Sequence, residues 1–299
     1  MKTLRDIGED ALIHRIVGLV PRDPDPAAGP GDDCAVVDPG PHSATLLLLK
    51  TDALVEHIHF LPSAPAHSVG WKAAARVISD FAAMGGQPGH FLVTLALAPE
   101  TAVAWVEELY RGIGACLEKF GGTLAGGETS SVPAGSAAVI SIAATGSVAR
   151  NEVALRSTAE PGDLLLVTGN LGGSIHGKHL NFTPRLEQTN WLVSNHKPTA
   201  MMDISDGLAK DLPRLATASA CGFSLDESAL PRNPGSSVAE ALGDGEDYEI
   251  LFTMNPTKVA ALLPAWRGKF PELPLNVIGE MTAPGTGPVL AGGWEHFSR

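Results

Sequence analysis

The apolar runs of this chain are all short, and acids beside glycine stand at their ends. "LLLL" at 46–49 and "DLLLVTG" at 163–169 are strand-sized, far short of the roughly 20 residues that span a bilayer. Between such runs lie amphipathic stretches closed by glycine pairs. "VGWKAAARVISDFAAMG" (69–85) reads as a helix ended by Gly85-Gly86 and Pro88, and "ETAVAWVEELYRGIGACLEKFG" (100–121) as one stopped at Gly121-Gly122. Strands are predicted at 44–54, 90–99 and 137–148, the first of them buried. The pattern restarts after the Pro-Gly punctuation of "STAEPGDLLLVTG" (157–169), with strands at 163–168, 199–204, 248–253 and 274–279 and helices at 207–219 and 256–266. Mixed strands and helices throughout predict an α/β (α+β) protein of two domains, 1–149 and 150–299. The segment 170–198 has the weakest periodicity and receives no assignment.

Length and composition agree with two folded cores: 299 residues, 44% hydrophobic and 18% charged. Net charge is −12, from 33 acids against 21 bases, which argues against nucleic acid as a partner. The N-terminal stretch "MKTLRDIGEDALIHRI" carries acids within a helical pattern, so no signal peptide or membrane association is expected. Cys34, Cys116 and Cys221 stand singly without CxxC spacing, as expected of reduced thiols in a cytoplasmic protein.

The acids at element ends are the informative ones. "GPGDDCAVV" supplies Asp32 and Asp33, "LLLLKTDALVEHIHF" supplies Asp52 ahead of His57 and His59, "LAGGETSS" supplies Glu128, and "MMDISDGL" supplies Asp203 and Asp206. Taken alone, such a residue reads more readily as a turn or cap residue, as Asp33 and Asp206 do. Asp80 does not, because it falls on a helix face with Ala73, Val77 and Met84, and a buried carboxylate must be paired or bind metal. The chain has no GxxxxGK[ST] loop and no GxGxxG opening a helix. A nucleotide would therefore be held through carboxylate-bound Mg²⁺ ions, with glycine turns admitting the phosphates.

"GDDCAVV", "TDALVEHIHF", "KAAARVISDFAAMGGQP", "GGETS", "DISDGLAKDL" and "GEDYEILFT", in this order and ending in "GGWEHF" (292–297), resemble the thiamine-monophosphate kinase family. That family belongs to the superfamily of aminoimidazole ribonucleotide synthetase. The resemblance implies the two-domain fold of that superfamily, a homodimer formed through N-terminal β-strands including 44–54, and ATP in the cleft between domains. It implies Asp33, Thr51, Asp52, Asp80, Glu128, Asp203 and Asp206 as Mg²⁺ ligands. It also implies Tyr110, Gly127, Arg156 and Ser205 as ATP contacts, and His59, Glu246 and Trp294 as contacts of thiamine monophosphate.

No catalytic base is expected, because a phosphate monoester is already an anionic nucleophile near neutral pH and phosphoryl transfer rests on positioning and charge. The chain departs from the family's pattern at Glu128, where Asp is usual, and at Ser131, where an arginine is common. It departs again at Lys50, where a small hydroxyl is usual, and in the shortened stretch 173–184. Those departures leave two alternatives beside thiamine monophosphate phosphorylation: a relative using ATP on another small phosphorylated acceptor, and a non-catalytic nucleotide- or metal-binding dimer.

Overall fold

The computed structural model describes residues 2–21 and 30–297. After an exposed N-terminal helix α1 (Gly8–Val17), the first half alternates strands and helices. These are β1 (Ala35–Val37), β2 (Thr45–Val55), α2 (Ala66–Ala83), β3 (Gln87–Leu97), α3 (Val103–Phe120), β4 (Thr123–Ser131) and β5 (Val139–Ala149). Its sheet has the order β1-β2-β5-β3-β4, antiparallel except for the parallel β3–β4 pair. The second half contains β6 (Leu164–Thr168), α4 (Lys178–Asn181), α5 (Leu186–Asn195), β7 (Ala200–Asp203), α6 (Leu208–Ala218), β8 (Gly222–Leu225), α7 (Val238–Gly243), β9 (Ile250–Met254), α8 (Pro256–Lys269) and β10 (Leu275–Thr282). These strands form a second, wholly antiparallel sheet, β7-β9-β6-β10-β8.

The two sheets are covered differently. In the second, Leu165, Val167, Met202 and Leu251 pack with α6 and α7 on one face, while Leu166, Met201, Ile250 and Phe252 pack with α5 and α8 on the other. Alternate residues of a strand point to opposite faces, so β6, β7 and β9 are largely apolar on both faces. In the first sheet α2 and α3 cover one face only, over Leu46, Leu48, Leu54, Val93 and Ile142. The strand predicted as buried at 44–54 is therefore only half so, since Leu47 and Leu49 face outward, as Leu92 and Leu124 do on β3 and β4. Every residue of β4 is exposed. Segment 123–131, which carries "GGETSS", is thus an edge strand and not a loop.

Helix α2 binds the halves together, packing on β2, β3, β5 and α3 of the first and on α4, α5 and β7 of the second. Small residues allow this: Ala73, Ala74, Ala75, Ala82 and Ala83 are buried along it. It crosses α3 where Gly70 meets the Leu109 carbonyl and Gly112 meets the His67 carbonyl; a Cβ on either glycine would lie 1.9 Å from that oxygen. Gly70→Ala and Gly112→Ala should each destabilise the protein by about 1–3 kcal/mol, the usual penalty of overpacking. Chemical denaturation checks this, and wild-type midpoints in both variants would contradict the crossing.

Candidate active site

Three of the predicted acids meet at one point. Asp203 closes β7, Asp80 projects from α2, and Asp33 follows the Pro30-Gly31 turn; one carboxylate oxygen from each lies within 4.8 Å of the others, and all three are buried. Ser79 Oγ donates to Asp203 at 2.6 Å. The turn after β7 is held by Asp211, whose carboxylate accepts from the backbone N–H groups of Ser205 and Asp206 at 3.0 Å each. Gly207 completes the turn at φ +102, where its missing Cβ avoids the Leu242 carbonyl. Burial drives the Asp80 carboxyl up to about 7, with Lys50 opposing and Asp52 and Asp33 reinforcing the rise. Burial, then Asp80 and Asp33, likewise push Asp203 well above the carboxylate range.

Bases stand beside these acids. Lys50 Nζ lies 2.8 Å from Asp80, and the Arg156 guanidinium spans Asp33 at 2.6 and 3.2 Å. Arg76 contacts Asp52 at 3.1 Å, and Arg214 donates to Asp206 at 2.7 Å with Lys210 3.6 Å away. Asp33, Asp80 and Asp203 form an all-oxygen carboxyl donor set, which suits a hard divalent cation such as Mg²⁺. Asp52, Ser205 and Asp206 line the same cleft, whose volume is about 1130 Å³. That exceeds the roughly 300–1,000 Å³ of an ordinary small-molecule pocket and leaves room for two ligands.

The three predicted acceptor residues gather around Lys72 and the C-terminal tail. Lys72 is fully buried, and its ammonium reaches the His59 carbonyl at 2.6 Å, Glu246 Oε2 at 2.7 Å and His179 Nδ1 at 2.9 Å. Burial lowers Lys72 to about 8 despite Glu246. Burial alone would raise Glu246, but His179 and Lys72 outweigh it and hold the carboxyl down at about 2. Glu246 stands at φ +54, fixed there by its N–H donating to the Ser205 carbonyl at 2.7 Å. This joins the acid's loop directly to the Asp203–Asp206 turn. His59 accepts from the Val55 N–H at Nδ1, and burial, then Arg76, depress it to about 4, so it is neutral at physiological pH. Its ring lies 6.2 Å from that of His296, to which Trp294 Nε1 donates at 3.3 Å. The Trp294 N–H in turn donates to the Asp206 carbonyl.

Four predicted residues lie elsewhere. Thr51 lines a shallower pocket of about 490 Å³ on the uncovered face of the first sheet, together with Leu49, Leu92 and Thr145; Lys50 lines both this pocket and the main cleft. Gly127 and Glu128 sit on exposed β4, where Ser130 Oγ donates to Glu128 at 3.3 Å. Tyr110 is half-buried against the core formed by α2 and α3. Strand pairing accounts for the first three, because alternation along β2 sends Thr51 away from α2 while β4 pairs at the sheet's outer edge.

Residues 31–148 match the N-terminal domain of the AIR synthase related proteins, and residues 176–289 match their C-terminal domain. The chain is 35% identical to the thiamine-monophosphate kinase of Rhodopirellula baltica over 85% of its own length and 84% of that protein's. It is 33% identical to the thiamine-monophosphate kinase of Escherichia coli over 92% and 91%. The chain belongs to the thiamine-monophosphate kinase family. The structure of AaThiL complexed with AMPPCP and TMP superposes with a TM-score of 0.86, at 29% identity and covering 99% of both chains. The fold is accordingly the two-domain AIR synthase-like one.

Within this thiamine-monophosphate kinase relative, the motifs assign no role to Arg76, Lys210, Arg214 and Tyr248, which line the cleft, or to Lys72, His179 and Asp211, which bond to residues of the site. Lys72 and Arg76 lay inside "KAAARVISDFAAMGGQP", where cations on an otherwise apolar helix were a usable signal. His179 lay in the segment without periodicity and had none. The raised Asp80 carboxyl has a stability consequence with a definite sign. The unfolded value is 3.8 and the folded one about 7, so the native state binds the proton more tightly. Its stabilising effect is complete below pH 4 and is lost as pH rises through 7. In metal-free buffer, Asp80→Asn should gain stability relative to wild type between pH 5 and 8, and Mg²⁺ should narrow the gap by binding the wild-type native state. Parallel melting curves at all pH values and metal concentrations would contradict this.

Proposed function

We propose that the chain transfers the γ-phosphoryl group of ATP to the phosphate of thiamine monophosphate, giving ADP and thiamine diphosphate. The observation that carries this reading is the whole-length likeness to AaThiL, a protein solved with AMPPCP and TMP, taken with family membership. In this reading Asp33, Thr51, Asp52, Asp80, Glu128, Asp203 and Asp206 hold several Mg²⁺ ions. The metal supplies charge neutralisation between two phosphate groups and alignment for in-line attack.

Arg156 and Ser205, with Gly127 and Tyr110, contact ATP. Arg156 already reaches Asp33 in bidentate fashion, a geometry equally suited to phosphate oxygens. His59, Glu246 and Trp294 orient the acceptor. No side chain acts as a base: the acceptor phosphate brings its own charge, and neutral His59 has Nδ1 engaged by backbone. The domain boundary falls at 149/150, between β5 and β6.

The uncovered face of the first sheet supports a homodimer. Leu47, Leu49, Leu92 and Leu124 are exposed there, and β4 lacks cover on either face. A second copy would seal these residues and enclose Thr51, Gly127 and Glu128, completing the nucleotide site from the side that Lys50 shares. Among the described residues no helix is long and apolar enough to cross a membrane, and Cys34, Cys116 and Cys221 are free.

The purified protein should convert thiamine monophosphate to thiamine diphosphate with stoichiometric ADP. Asp203→Asn should lower kcat by about a hundredfold or more, equivalent to ~3 kcal/mol of transition-state stabilisation, while melting no lower than wild type. Absence of product, or full activity in Asp203→Asn, counts against the reading. Sedimentation at micromolar concentration should give a dimer, and Leu92→Glu a monomer with a raised ATP requirement. A fully active wild-type monomer would remove the proposed interface.

A further inference from the structure

Two polar groups of the cleft have no protein partner. Among the described residues, Tyr248 OH and Arg76 Nε are both buried without a hydrogen bond. Leaving such donors unmade is unfavourable, and native structures rarely do so. Both residues line the main cleft. Neither is free to turn elsewhere. The Tyr248 ring stacks on Phe182 with centroids 3.8 Å apart and 13° between planes, and its backbone N–H donates to the Ile204 carbonyl. Tyr248 also stands at φ +50, a conformation that an aromatic residue holds only under constraint. Arg76 is anchored by its terminal nitrogens, one on the Ala53 carbonyl at 3.0 Å and one on Asp52 at 3.1 Å.

Their position separates the two halves of the site. Arg76 reaches Asp52 on the side of the acid cluster. Tyr248 follows Glu246 by two residues, on the side where Lys72 joins Glu246 to the His59 carbonyl. Both side chains line the one cleft. A cation and a hydroxyl that are fixed and unsatisfied in one cleft, beside the acid cluster and the acceptor side, are suited to an anionic oxygen.

We propose that Arg76 and Tyr248 together bind the phosphate of the acceptor, donating to an oxygen that must lie between the acid cluster and the His59–Glu246 side of the cleft. The inference rests on the acceptor being a phosphate monoester, as proposed above. It adds a direct protein contact to the phosphate, beside the contacts expected through metal. The guanidinium supplies charge and the phenol supplies direction. Since neither hydrogen bond exists before the ligand arrives, both are gained on binding or as transfer proceeds.

Tyr248→Phe tests this, because it deletes one unsatisfied hydroxyl and nothing else. Holoenzyme with Mg²⁺ and saturating ATP is assayed against varied thiamine monophosphate, with melting temperature and affinity for a non-hydrolysable ATP analogue measured in parallel. The expected result is a variant that melts at or above the wild-type temperature and binds the analogue normally. Its kcat/KM for the acceptor should fall about tenfold, the size of one hydrogen bond to a charged group. A rise in KM alone would mean a contact made in the bound ground state, and a fall in kcat one made in the transition state; either supports the proposal. Arg76→Lys should show the same acceptor-specific loss. Wild-type kcat/KM in Tyr248→Phe overturns the inference alone, and so does a variant that fails to fold, since losing an unbonded hydroxyl cannot unfold the chain. A wild-type protein that makes no thiamine diphosphate overturns the functional reading and this inference with it.

Discussion

Asp80 sits on the helix that both halves of the protein pack against, and a carboxylate there is tolerable only with positive charge within reach. Lys50 supplies it from β2, and the same need recurs around the cleft, where Arg156 meets Asp33, Arg76 meets Asp52 and Arg214 meets Asp206. These pairs tie β2, the 30–34 turn, α2 and the β7–α6 turn to one another. Asp33, Asp52, Asp80 and Asp206 thus each sit beside a base suited to phosphate, while Asp203 has only the Ser79 hydroxyl. The cleft is preorganised for a ligand that brings cations and anionic oxygens together: four of its acids are already paired, and Asp203 is the one left for an arriving cation to compensate.

Helix α2 carries this arrangement because it is nearly all small or apolar residues. Its alanines let the second half approach, and its glycine crossing lets α3 lie close behind. Beyond the first turn, with its His67 and Ser68, the polar interruptions are Lys72, Arg76, Ser79 and Asp80, and all four bond to side chains of the site. They occupy two successive turns of one helix, so a single rigid element sets the spacing between the acid cluster and the Lys72–Glu246 contact. The strained Glu246–Tyr248 loop is fastened to the other wall through the carbonyls of Ser205 and Ile204. Both walls therefore reach the reacting groups through backbone that cannot drift independently.

Much of this could be read in advance. The longer helices and most strands follow from periodicity and glycine punctuation, whereas β1, β4, β8 and α7 do not, and the placement of Asp80 among Ala73, Val77 and Met84 demanded a partner before any partner was visible. Asp33, Asp80 and Asp203 meet, though 47 and 123 residues separate neighbours in the chain (80 − 33 and 203 − 80). The unassigned segment 170–198 hides α4 and α5 because its elements are short and held by distant groups. Lys178 and Arg185 bond the buried Glu249, which no local pattern announces.

What the chain determined by itself is the local grammar: element types set by apolar period, breaks set by glycine and proline, and a set of acids too awkwardly placed to be surface charge. What only the tertiary structure decided is which faces and which charges meet. "LLLL" at 46–49 and "LLLV" at 164–167 look alike as text, yet the first leaves Leu47 and Leu49 exposed and the second is sandwiched by helices on both sides. The difference lies in how many layers of helix pack against each sheet. Likewise Lys72 acquires its meaning from His59, His179 and Glu246, drawn from three remote segments. A side chain's partners are fixed by packing between elements, and that geometry is a property of the assembled core, not of any stretch of sequence within it.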